Sequence, residues 1–134
     1  MTTRSTTAQD VSGAVDVAML RETVLAARRA ARDASVVLAR EGATLDEWMI
    51  LDVLGDEDGL TMSQLRESVG VDKATLGRRV DALVTRALVY REVDGLDRRV
   101  IRVHLSSRGR DVLVRLTARL AAQHQQADTP HGDQ

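Results

Sequence analysis

Two short clusters hold the side chains whose types and spacing could do chemistry. One is Asp72-Lys73-Ala74-Thr75 with Arg78-Arg79 three residues on; the other is Asp97-Arg98-Arg99. Both offer guanidinium groups beside a carboxylate, which suits recognition of an anion and not bond-breaking. A guanidinium can bond guanine O6 and N7 together, and an aspartate two residues away can orient it by a bidentate pair. Nucleophilic chemistry is poorly served. The chain has no Cys, and its three His (His104, His124 and His131) stand beside no Ser or carboxylate pair resembling a triad. His124 and His131 with Asp128 fall short of a metal-ligand set, so no metal, no cofactor and no enzyme activity are expected.

The 134 residues carry a formal net charge of −1, but the charges are unevenly spread. Glu41 to Asp58 holds seven acids and no bases. From Lys73 to Arg110, ten bases stand against four acids, a net charge of +6. Such a block favours a polyanion, because phosphate contacts release counterions. Hydrophobic residues make up 43% and aromatics 1%, the latter being Trp48 and Tyr90, so an aliphatic core of one domain is expected. No apolar run is long enough to cross a bilayer and Met1 to Gly13 lacks a signal-peptide core, which points to a cytoplasmic protein with no membrane partner.

The elements that must position the two clusters follow from periodicity and capping. Residues 1–13 and 127–134 read as disordered tails. Residues 14–41 read as one helix whose Val17, Leu20, Val24, Ala27, Ala31, Ala34 and Leu38 form a heptad seam, a dimerisation face with an alanine centre. Gly42 ends it, and Thr44-Leu45-Asp46-Glu47 is a capping box for a central helix containing Trp48. Thr61-Met62-Ser63-Gln64 is a second capping box, opening a short helix that stops at Gly70. Asp72 caps a further helix running to about Ala87, with Leu76, Val80, Leu83 and Ala87 as its buried stripe.

Two β segments follow, Leu88 to Val93 and Arg99 to Leu105, joined across Asp94-Gly95-Leu96-Asp97. Ser106 or Ser107 caps a last helix to about Gln126, with Val112, Leu113, Leu116 and Leu120 as its stripe. The fold class expected is mainly α with a small β-hairpin (α+β). Residues 42–105 form a winged helix-turn-helix region between long N- and C-terminal dimerisation helices, 14–41 and 106–126. In a helix-turn-helix the second helix enters the major groove. That makes Lys73, Ala74, Thr75, Arg78 and Arg79 candidates for DNA contact, with Ser63 and Gln64 opening the preceding helix toward phosphate. Asp97, Arg98 and Arg99 on the hairpin would meet the minor groove, whose negative potential draws Arg.

Thr44 to Leu51, Gly59-Leu60-Thr61, Val71 to Thr75, Asp94-Gly95-Leu96-Asp97-Arg98-Arg99 and Leu105 to Gly109, in that order and spacing, resemble the winged-helix MarR family of bacterial transcription regulators. The resemblance implies a homodimer on a pseudo-palindromic operator, with Arg78 in the major groove and Arg99 in the minor groove. It also implies a short strand at Gly59 to Thr61 added to the hairpin sheet, a repressor role, and release by a small aromatic effector. Met19, Trp48 and Met49 are the candidates to line an effector pocket. The second class of function considered is a winged-helix protein-interaction module whose basic face meets an acidic protein. Three departures from the family pattern stand out. Ala87 replaces the usual Gly, so the recognition helix should end without a left-handed cap. Gly77 precedes Arg78 where Thr is common. One final helix is missing, leaving a dimer to the first and last helices.

Overall fold

In a computed structural model, residues 15–128 are described. The expected tail at 1–13 and all of the other beyond Asp128 lie outside them. Contacts divide the chain into two units after Asp33. In the first, helix α1 (Val17–Arg40) begins where Asp16 Oδ1 accepts from Ala18 N at 3.0 Å and Met19 N at 3.3 Å. Val17, Met19, Leu20 and Val24 along it are exposed.

The second unit takes the end of α1 and everything after it. Helix α2 (Leu45–Asp56) opens with the capping box: Glu47 N donates to Thr44 Oγ1 at 3.1 Å and Thr44 N to Glu47 Oε1 at 2.9 Å. Glu47 is the buried carboxylate here, and its other oxygen lies 3.5 Å from Arg86 Nη1. Capping and pairing together offset the cost of enclosing that charge. Strand β1 (Leu60–Thr61) leads into α3 (Met62–Val69), then α4 (Lys73–Thr85), strands β2 (Val89–Val93) and β3 (Ile101–Leu105), and α5 (Ser107–Asp128).

The sheet is antiparallel in the order β1-β3-β2, with Leu60 opposite Val103 and Val89 opposite Leu105. The strand expected at 59–61 is therefore present as Leu60–Thr61. The core is aliphatic throughout: Ile50, Leu51 and Leu54 of α2, Leu65 of α3, Leu76, Val80 and Leu83 of α4, Val103 of β3 and Leu116 of α5 are buried. Leu38, read as the last position of the dimer seam, is fully buried in this core. A heptad repeat marks an apolar face but not which surface covers it, and here the chain's own core covers this end.

One correction concerns the end of α4. Ala87 takes φ +60° despite its side chain, so the left-handed cap expected to be lost is kept. Ala87 N donates to Val84 O and Leu88 N to Leu83 O, both at 2.9 Å, a Schellman pair. Gly42 ends α1 in the same way at φ +74°, with Gly42 N on Ala39 O and Ala43 N on Leu38 O. Burial of Leu83 and Leu88 on either side of the turn holds Ala87 where its own preference would not.

Candidate nucleic-acid interface

The helix-turn-helix is α3, the turn Gly70-Val71-Asp72, and α4. Thr61 and Gln64 form a second capping box, Gln64 N on Thr61 Oγ1 at 3.2 Å and Thr61 N on Gln64 Oε1 at 3.0 Å. The side-chain oxygen of Gln64 is thus engaged in the cap, while Ser63 beside it is exposed. Gly70 ends α3 at φ +79° with its N–H on Arg66 O.

Asp72 then starts α4. Its Oδ1 accepts from Thr75 N at 2.8 Å and its Oδ2 from Thr75 Oγ1 at 2.9 Å; Thr75 Oγ1 in turn accepts from Arg78 Nη2 at 3.3 Å. The backbone N–H of Thr75, then its hydroxyl, and the charge of Arg78 hold the Asp72 carboxyl below its ordinary pKa. Thr75 therefore links the cap to Arg78, so its hydroxyl is already occupied. Burial of Leu76, Val80 and Leu83 fixes which way α4 faces, and Lys73, Ala74 and Arg78 are exposed. Arg79 is half-buried, and its Nε is enclosed without a hydrogen-bond partner among the described residues. An ion pair from Arg91 to Asp81 ties β2 to α4.

The wing is the loop between β2 and β3, built by two aspartates. Asp94 Oδ2 accepts from Leu96 N at 3.2 Å and Asp97 N at 3.0 Å, while Oδ1 accepts from Arg102 Nε at 3.1 Å. Arg102 Nη1 also reaches Gly59 O at 3.1 Å, linking the wing to the start of β1. Asp97 Oδ1 accepts from Arg99 N at 3.0 Å and Nε at 3.1 Å, and Oδ2 from Arg99 Nη2 at 3.3 Å. The bidentate pair is formed, and the Arg99 side chain is still 90% exposed. Arg98 beside it is exposed. Arg102 bonding lowers the Asp94 pKa first, then the Asp97 N–H; the Arg99 side chain, then its N–H, lowers that of Asp97.

Three supporting residues were missed from the sequence. Asp94 and Arg102 stand eight positions apart and meet only because the hairpin folds back. Asp58 accepts from Leu105 N at 2.7 Å and lies 3.2 Å from His104 Nδ1, with the His104 ring stacked on Tyr90. The Asp-Gly turn signal at Asp94-Gly95 could have suggested the first of these. Trp48 and Met49 are half-buried against the core, and Trp48 Nε1 donates to Thr117 Oγ1 of α5 at 3.1 Å. Met19 lies in the other unit and is exposed. Among the described residues, no group of three or more His, Cys, Asp or Glu is placed to hold a metal ion, and no helix is long and apolar enough to cross a membrane.

A sequence model for the MarR family matches residues 41–100, which run from the end of α1 to the start of β3 and contain both clusters. The winged-helix portion of this chain belongs to the MarR family. A putative transcriptional regulatory protein for the hcr operon of Thauera aromatica is 26% identical over 115 residues, 86% of this chain and 68% of that protein. The crystal structure of a MarR-family transcriptional regulator from Silicibacter pomeroyi is 29% identical with a TM-score of 0.68, covering 86% of this chain and 75% of that one. The transcriptional repressor CouR, bound to a 23-mer DNA duplex, shares the fold at 23% identity and a TM-score of 0.70, over 88% of this chain and 80% of its own. Over residues 41–100 the chain is thus similar to the MarR family, and the relatives it resembles are named as transcriptional regulators.

Proposed function

We propose that this MarR-family protein is a sequence-specific, double-stranded DNA-binding repressor that acts in the cytoplasm as a homodimer on a pseudo-palindromic operator. The observation that carries this is the pairing of two exposed guanidiniums with carboxylate-built scaffolds: Arg78 on a capped helix and Arg99 on a braced wing. CouR, which shares the fold, is a repressor bound to DNA. Arg78 reads a guanine edge in the major groove, and Arg99 enters the minor groove already oriented, so less rotamer freedom is lost on binding. Lys73, Ala74, Arg79 and Arg98 extend this surface toward phosphates, and Ser63 and Gln64 add the start of α3. The exposed Val17, Leu20 and Val24 of α1 supply part of the dimer seam, and α5 supplies the rest.

Two recognition helices in a dimer set half-sites about 10 bp apart. Salt-dependent retardation of a palindromic duplex by the wild type, weakened on that duplex alone by Arg78→Ala, tests the reading. Equal, weak binding of all duplexes by both proteins overturns it. Light scattering of Leu20→Glu, expected to run as a monomer, tests the dimer.

A small aromatic effector releases the DNA in this reading. An open groove of about 690 Å³ between α2 and α5, lined by Asp52, Gly55, Leu113, Val114 and Thr117 among others and by none of Met19, Trp48 and Met49, offers room for one. Trp48 bonds to Thr117 on its wall, so its fluorescence reports occupancy. Phenolic compounds that quench Trp48 should lower operator affinity in parallel; a panel that leaves affinity unchanged removes the effector.

A further inference from the structure

The wing tip presents a side chain that the fold does not use. Leu96 is 99% exposed. The backbone around it is fixed: its own N–H and that of Asp97 both sit on Asp94 Oδ2, and Asp94 is held by Arg102, which is itself anchored on Gly59 O. Polar groups thus shape the turn completely, and the isobutyl group contributes nothing to it while structuring water around itself. Arg98 and Arg99 follow it directly and are exposed. A lone apolar side chain is too small to dock a protein. Set beside two guanidiniums on a narrow, ordered tip, it matches a surface that alternates anionic and apolar groups within a few ångströms. The minor groove is such a surface, with phosphates at its rims and deoxyribose along its walls.

We infer that Leu96 packs against the sugar wall of the minor groove and adds a contact that depends on groove shape and not on salt. This rests on the DNA-binding reading above. The division of labour on the tip is distinctive: arginines draw the duplex by charge, and the leucine measures the fit once the groove is entered. A groove too wide leaves the side chain in water, so discrimination among sequences comes from groove width at positions that no hydrogen bond touches.

The test uses the full chain and a duplex that the wild type selects from a random pool, with binding followed by anisotropy across a salt series. Leu96→Ala should bind about tenfold more weakly, the loss expected from re-exposing part of a leucine. The slope of log affinity against log salt should stay at the wild-type value, whereas Arg98→Ala should reduce it by about one. Leu96→Met, which keeps apolar reach, should bind within about twofold of wild type. Leu96 is almost wholly exposed, so both Leu96 variants should unfold at the wild-type temperature. Unchanged affinity in Leu96→Ala, or a loss accompanied by a lower salt slope, overturns the inference while leaving DNA binding intact. Leu96-dependent retention on anionic phospholipid vesicles with no effect on DNA overturns it in favour of a lipid surface. Failure of the wild type to select any duplex overturns the DNA-binding reading itself, and this inference with it.

Discussion

The recognition helix and the wing each display an arginine near an aspartate, but the two are held in place by different forces. On α4 the direction of Arg78 is set from beneath, by Leu76, Val80 and Leu83 buried in the common core. The Asp72–Thr75–Arg78 chain only trims the first turn. On the hairpin, apolar anchorage is confined to its base, where Val89, Val103 and Leu105 are buried, and the shape of the loop comes from Asp94, Asp97, Arg99 and Arg102 at the surface. A core-anchored reader loses its geometry only when the domain unfolds. A carboxylate-anchored one can lose it locally, under acid, without any other change.

Substitutions separate the two cases, beginning with the largest effect. Leu83→Ala should destabilise the winged-helix unit by about 2–5 kcal/mol in denaturant titrations, because a fully buried leucine is replaced by a cavity. If Asp94→Ala costs as much global stability as this, the wing is part of the same cooperative unit and the contrast fails. Arg78→Ala should cost about 1–3 kcal/mol of binding to a selected duplex and relax preference at one base position. Arg99→Ala should weaken binding with less loss of major-groove discrimination, most at A·T-rich flanks.

Ala87→Gly sharpens the comparison from the other side. The turn that ends α4 holds a Cβ at φ +60°, and glycine there should raise stability by about 1 kcal/mol in thermal or chemical unfolding. No gain would mean that the turn carries no strain. The smallest effect is that of acid on the wing. Both Asp94 and Asp97 have carboxyls held below the ordinary value of 3.8 by their arginine and backbone partners. Their contribution to wing order is therefore complete above that value and falls away as the pH drops through the lowered ones. Amide exchange at Leu96, Asp97 and Arg99 should accelerate over that acid range while exchange at Leu76 and Leu83 stays slow. Acceleration at all five together would place helix and wing in one unit.

Much of the fold could be read from the sequence because its local signals agree. Thr44 and Thr61 with their partners three residues on form the two capping boxes, Asp72 caps α4, and of the expected stripe Leu76, Val80 and Leu83 are buried, while Ala87, past the end of the helix, is exposed. Legibility failed where long-range packing overrides local preference. Ala87 has no left-handed tendency of its own, and only the burial of its neighbours imposes one. Leu38 fits a heptad seam as well as a core, and a one-dimensional pattern cannot distinguish them. At the candidate site, the Asp97–Arg99 pair could be anticipated from spacing, whereas Arg102 on Asp94 depends on the register of the hairpin. Thr75 is among the expected DNA contacts, but its hydroxyl is already shared between Asp72 and Arg78.

The joint at the root of the wing has a mechanical consequence. Ser106 Oγ lies 2.7 Å from Ala87 O and 2.9 Å from Leu88 O, and it accepts from Gly109 N at 2.9 Å. A Cβ on Gly109 would stand 1.9 Å from Leu88 O, so the first turn of α5 has no slack against the segment leaving α4. Such a seat behaves as a pivot and not a cushion. A side chain at position 109 would therefore have to push the start of α5 away from the segment that leaves α4.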